Sequence, residues 1–185
     1  CQDEAEIFST LDLPYVPPEI REDHGEFAAG EKGELPRLIE WTDLKGALHN
    51  HSTWSDGHNT LEEIAAHMQE LGLAYWGITD HSKASFQANG LDATRLREQL
   101  KAIKQLNAKL ADSGSDFRLL TGCEVDILKD RLDHDDDLLA ELDVVVASLH
   151  VPANNEAENT KRLIRAAESK FVHTLGHLTG RLLLE

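Results

Sequence analysis

His49 and His51, Asp56, Asp80 and His81, Glu124, His150 and His177 are the side chains of this 185-residue sequence whose types and spacing could do chemistry. Neutral imidazole binds zinc, iron, nickel or copper; carboxylates also suit manganese and magnesium and can bridge two ions. A His-Xaa-His pair on a strand, as in His49-Asn50-His51, puts both rings on one face, because side chains alternate with period two. Five histidines with several carboxylates exceed what one tetrahedral site takes. Packed together without metal they would repel or carry shifted pKa values. Two or three divalent ions, manganese, zinc or iron, relieve both problems.

The elements that must position these groups follow from hydrophobic periodicity. Strands are predicted over 44–49, 74–79, 117–121, 143–148 and 171–175. Thr60-Leu61-Glu62-Glu63 is a capping-box pattern, followed by the stripe Leu61, Ile64, Ala65, Met68 and Leu71 and a helix stop at Gly72. Further helices are expected over 93–111, with Leu96, Leu100, Ile103, Leu106 and Leu110 on one face, over 135–141 and over 155–169. Strand then helix, repeated, means βα units around a parallel sheet, and strand C-termini in such a barrel converge on one rim. Each predicted strand is followed by a candidate ligand, so residues far apart in sequence meet there. No repeat is apparent in the residues themselves. His24, His58, His67 and His134 are expected at the surface and His173 in packing. Cys123 is expected buried and inert. Trp54 and Phe86 flank ligand segments, either as pocket walls or as core or lid packing. Asp80 is expected to orient a ligand imidazole or to cap its strand.

Composition narrows the function classes. Eighteen basic against 34 acidic residues leave a net charge of −16, which argues against a broad basic face for nucleic acid. It leaves open a nucleic-acid enzyme in which bound cations supply positive charge. Apolar runs are too short to span a membrane, and no signal peptide is apparent. Two cysteines make no disulfide framework and imply a reducing, cytoplasmic compartment. Residues 1–40 hold four of the five prolines and eleven acids against three bases, half of the net charge, and read as a boundary or linker. The start at Cys1 and the apolar end at 182–184 suggest an excerpt from a longer protein.

The segments His49-Asn50-His51-Ser52-Thr53-Trp54-Ser55-Asp56-Gly57, Thr79-Asp80-His81-Ser82, Gly122-Cys123-Glu124-Val125-Asp126, Ser148-Leu149-His150 and Gly176-His177-Leu178-Thr179-Gly180-Arg181 together resemble the polymerase-and-histidinol-phosphatase (PHP) superfamily of metal-dependent phosphoesterases. The likeness is strongest to the C-terminal PHP domain of bacterial family X DNA polymerases, and residues 4–22 look like the end of such a polymerase's thumb. The resemblance implies an α/β fold, a distorted TIM-like (β/α)7 barrel stopping before its last strands, with residues 1–40 as thumb end and linker and 41–185 as PHP domain. It implies a trinuclear site: one ion on His49 and His51, a second on His150 and His177 bridged to the first by Glu124, a third on Asp56 and His81. A metal-bound water held by Glu124, His51 and His150 would be the nucleophile, with Lys83 and Arg181 as phosphate contacts. The family usually supplies an Asp-Xaa-His motif from a last strand that this sequence stops before, so the second site should be the best occupied, and Leu178 stands in a usual proline position. The implied activity is 3′–5′ removal of nucleotides from a DNA 3′ end in repair, beside a polymerase domain whose catalytic palm this sequence lacks. The alternatives are a small-molecule phosphatase of the histidinol-phosphatase type and a non-catalytic scaffold.

Overall fold

The computed structural model describes residues 2–178. It divides into two compact units, Cys1–Asp43 and Leu44–Glu185.

In the first unit, helix α1 spans Glu4–Thr10. Asp3 caps it by accepting from the Glu6 N–H. One-turn 3-10 helices at Pro18–Ile20 and Trp41–Asp43 and a short α2 (Glu26–Glu31) follow; α2 carries no strong periodicity and is not expected from sequence. Phe8 packs edge-on against Tyr15 (5.4 Å) and stacks on Phe27 (6.4 Å), and the Arg21 guanidinium lies 5.0 Å from the Phe8 ring centre.

The second unit alternates strands and helices. Its order is β1 (Gly46–Ala47), α3 (Leu61–Glu70), β2 (Tyr75–Ile78), α4 (Ala93–Asp112), β3 (Arg118–Asp126), α5 (Asp136–Leu139), β4 (Val144–Ser148), α6 (Glu156–Ala167) and β5 (Thr174–Leu175). The five strands pair in parallel in sequence order and curl into a half-barrel of the TIM-like α/β type. All five residues of β4 are buried, as an uninterrupted apolar run in a parallel sheet requires. The edge strands β1 and β5 are shorter than expected, two residues each. Strand β3 is longer, running through Gly122 to Asp126. A glycine reads as a strand end, yet here a Cβ would stand 2.7 Å from the Val144 carbonyl oxygen and 2.8 Å from Thr79 Cγ2. Only glycine lets the neighbouring strands close on β3 at that point.

Both halves of the capping box form at α3: Thr60 Oγ1 accepts from the Glu63 N–H and the Glu63 carboxylate accepts from the Thr60 N–H. Leu61, Ile64 and Ala65 are buried, but Leu71 is 42% exposed, against expectation. It is already the C-cap, and the chain turns there through Gly72 (φ +74°), whose N–H bonds Gln69 O while Leu73 N–H bonds Met68 O. Thr60→Ala is expected to destabilise the domain by about 1 kcal/mol, read as a lower thermal midpoint with an unchanged far-UV spectrum. Leu96, Leu100 and Ile103 bury one face of α4 as predicted. One core cluster joins Leu96 and Leu100 to β3, α5 and β4; a second joins Ile103 to α3, Ile78 and Leu119. Trp54 packs against both, which makes it core, whereas Phe86 is 83% exposed.

Candidate metal centre

Apart from Glu124, the ligand candidates lie beyond the C-terminal ends of their strands. Beyond β1, the Thr79 N–H donates to Asn50 O (2.7 Å) and the Asn50 N–H donates to Thr79 Oγ1 (3.0 Å). Asn50 is thereby fixed to the extension of β2, and His49 and His51, on either side of it, share the other face. Beyond β2 the pairing keeps its register: the Glu124 N–H is shared between Thr79 O (3.1 Å) and Asp80 O (3.2 Å), and His81 stands opposite Glu124. Glu124 lies within β3 rather than after it and is 1% exposed.

The five histidines form a closed ring. Adjacent centroids are 5.5 Å (His49–His51), 4.3 Å (His51–His81), 5.1 Å (His81–His150), 5.2 Å (His150–His177) and 6.0 Å (His177–His49) apart. Glu124 occupies the middle. Its Oε1 lies 3.2 Å from His49 Nε2, 3.2 Å from His150 Nε2 and 2.9 Å from His177 Nε2. Its Oε2 lies 3.4 Å from His51 Nε2 and 2.9 Å from His81 Nδ1. Asp56, from the loop after β1, lies 3.2 Å from His51 Nδ1 and 3.5 Å from His81 Nε2. His177 adopts φ +31°, a left-handed conformation rare for a side-chain-bearing residue and one that persists where surroundings impose it.

These donors fit divalent cations. Three triads bring their ligand atoms within 4.8 Å of one another: His49, His51 and Glu124; His51, Asp56 and His81; His81, Glu124 and His150. The buried Nδ1 atoms of His51 and His81 make no hydrogen bond although carboxylate oxygens stand close, an arrangement suited to lone pairs aimed at a shared ion. The triads overlap. His51 and His81 each serve two triads, and among the described residues His177 joins none of the three, meeting Glu124 Oε1 directly.

Electrostatics show what the cluster does when protons stand in for cations. Burial raises the Glu124 pKa, but His150, His49 and His81 overcome it and hold the carboxyl far below its usual range. His150 is pushed up to about 10, first by Asp126 and then by Glu124. Burial, helped by neighbouring His81, lowers His51. Burial also lowers His81, but the contact with Glu124 outweighs it and the net shift is upward.

Asp126 is the residue that sequence reading missed. It is buried at the end of β3, two positions and one strand period after Glu124, and its Oδ1 lies 2.9 Å from His150 Nδ1. That contact orients the ring and aims Nε2 at the centre, the common arrangement for metal-bound histidine. The parity of Glu124-Val125-Asp126 was the available signal. Asp80, by contrast, touches no imidazole through a described hydrogen bond: it accepts from Ser52, Ser55 and Gln99 and so anchors the loop carrying Asp56. Lys83 is exposed and lines a cavity with Asp92, Arg97 and Arg131. Arg181 lies outside the described residues, as does Cys1; Cys123 is buried and its thiol is pushed up by that burial. His134 is 6% exposed rather than at the surface, and burial lowers its pKa. His24, His58 and His67 are exposed. His173, expected in packing, is exposed, and its Nδ1 accepts from the Val145 N–H (3.1 Å).

Histidines and carboxylates converging on the C-terminal rim of a parallel half-barrel make a centre suited to divalent cations. The chain belongs to the PHP domain family, a family of metal-dependent hydrolases, whose model matches residues 47–182. It is 45% identical over 182 residues to the "DNA polymerase/3′-5′ exonuclease PolX" of Bacillus subtilis (strain 168), spanning 97% of this chain and 31% of that protein. It is 31% identical over 141 residues to a "probable phosphatase" of Caldicellulosiruptor bescii, covering 72% of this chain and 54% of the relative. A probable phosphatase of Clostridium novyi is 31% identical over 137 residues, 70% of this chain and 52% of that protein. The chain thus spans about a third to a half of these relatives. Among the described residues no helix is long and apolar enough to cross a membrane.

Proposed function

We propose that this chain is a metal-dependent phosphoesterase domain that releases nucleotides from a DNA 3′ end. The observation that carries the phosphoesterase reading is the closed ring of five imidazoles around the buried carboxylate of Glu124. The DNA substrate is supported by the likeness to a polymerase/exonuclease over 97% of this chain. Residues 1–40 are then the end of a polymerase thumb and its linker, residues 41–185 the phosphoesterase domain, and a polymerase domain and the cytoplasm its setting.

Divalent cations bound here, manganese, zinc or iron in two or three positions, would supply hydroxide at neutral pH and neutralise phosphate oxygens. The triads share His51, His81 and Glu124, which favours more than one ion. The chain's own contributions are separable. Glu124 holds the two halves of the ring together. His51, His150 and Glu124 define the place where the attacking water is held. Asp126 fixes the His150 ring. Lys83, two residues after His81, and Arg181, four after His177, are the cations offered to a phosphate oxygen.

The probable phosphatases among the relatives favour a second reading on the same centre, hydrolysis of small phosphomonoesters. Manganese-dependent digestion of 3′-labelled single-stranded DNA is expected to yield mononucleotides, lost in His49→Ala. Turnover of small phosphomonoesters with intact DNA would select the phosphatase. Metal-free, inactive but folded protein would select a scaffold.

A further inference from the structure

The two ligand loops repeat a five-residue pattern, His51-Ser52-Thr53-Trp54-Ser55 and His81-Ser82-Lys83-Ala84-Ser85. The residues between the serines share nothing, which hides the repeat in sequence, but both segments close the same turn hydrogen bond. The Ser55 N–H donates to Ser52 O (3.2 Å), and the Ser85 N–H donates to Ser82 O (3.1 Å). All four serines are buried, although serine is ordinarily a surface residue.

Each turn closes on one buried aspartate of the next strand. Asp80, beyond β2, accepts from the Ser52 N–H (2.8 Å), Ser52 Oγ (2.6 Å), the Ser55 N–H (3.1 Å) and Ser55 Oγ. Gln99 of α4 donates to it from behind. Asp126, at the end of β3, accepts from Ser82 Oγ (3.2 Å) and Ser85 Oγ (2.8 Å), and its own N–H donates to Ser82 Oγ (3.0 Å). The clasps differ in the last partner. Where Asp80 is capped by an amide, Asp126 turns its free oxygen to His150.

From this duplicated geometry we infer that the clasps are two independent positioning devices, each setting one side of the metal centre. The Ser52–Ser55–Asp80 clasp sets His51 and Asp56, and with them the triad His51–Asp56–His81. The Ser82–Ser85–Asp126 clasp sets His81 and, through Asp126, His150, and with them the triad His81–Glu124–His150. Both clasps adjoin His81, so the centre is divided between them at that residue. None of these six side chains need touch a cation; they act through the histidine that precedes the turn or faces the aspartate. The inference rests on the metal-binding reading of the centre.

Manganese titration of the metal-free protein tests it, read by calorimetry and by the paramagnetic signal of free manganese. Ser55→Ala is expected to weaken one class of sites about 10- to 100-fold and leave the other unchanged; Asp126→Asn is expected to weaken the other class by a similar factor. Ser55→Thr, which keeps the hydroxyl, is expected to restore the first class. Thermal melts of the metal-free variants separate positioning from folding, since a purely structural role would lower the midpoint and weaken all sites together. Wild-type-like titrations in both variants, or equal loss of every site, would overturn the clasps while leaving the centre standing. Failure of the wild-type protein to bind manganese would overturn both.

Discussion

Glu124→Gln is expected to abolish phosphoesterase activity and to weaken metal binding by at least roughly 100-fold, beyond the 10- to 100-fold typical of outer-shell partners. The substitution keeps size and shape and changes one charge. In the wild type one carboxylate faces five imidazole nitrogens at 2.9–3.4 Å. Among the described residues no other carboxylate bears on both the His49–His177 side and the His51–His81 side of the ring. An amide offers one neutral oxygen and turns an NH2 toward nitrogens whose lone pairs should face a cation. Asp56 and Asp126 cannot compensate, because one meets only His51 and His81 and the other only His150. Elemental analysis and turnover of 3′-labelled DNA check this together. Retained cations with lost activity would place Glu124 in proton transfer rather than in metal binding. Retained activity would remove it from the centre.

How far this centre could be read from sequence depends on how local each signal is. The pair His49 and His51 is legible because strand parity alone aligns them, and β4 because five consecutive apolar residues demand burial on both faces. Strand-end histidines become a cluster once the strands are parallel, which βα alternation implies. What was hidden depends on register. Asp126 matters because β3 continues past Gly122 and pairs Asp126 with Ser148, which brings it beside His150. Asp80 looked like a partner for an imidazole, but the loop after β1 folds back over it and takes its acceptors first. His134 sits among acids in sequence and so reads as solvated, yet it is enclosed beside Ile127 and Leu138. In each case the sequence names the group correctly and only the three-dimensional path decides which neighbour it meets.

Removing divalent cations is expected to lower the thermal midpoint by roughly 10 °C and to reverse its dependence on pH. Ligand at a thousandfold excess over its Kd stabilises by about 4 kcal/mol, and a domain of this size shifts by about 2–4 °C per kcal/mol. The reversal follows from His150. In the metal-free protein its pKa is raised from 6.5 to about 10 by Asp126 and Glu124. The stability it contributes is therefore fully present below 6.5 and lost as pH climbs through about 10. Glu124 works in the other direction: its depressed pKa contributes stability present above 4.5 and lost as pH falls toward its folded value. The two contributions coincide between about 4.5 and 6.5, so the metal-free domain weakens on the alkaline side. A cation needs His150 neutral and must displace its proton, which becomes easier with each step up in pH. Melts with chelator and with excess manganese, at about pH 6.5 and about pH 8.5, should give midpoints that diverge, falling in the first series and rising in the second. A gap that stays constant across this range would mean that the proton on His150 does not compete with the metal, and that Asp126 holds the ring away from the cations it was assigned to serve.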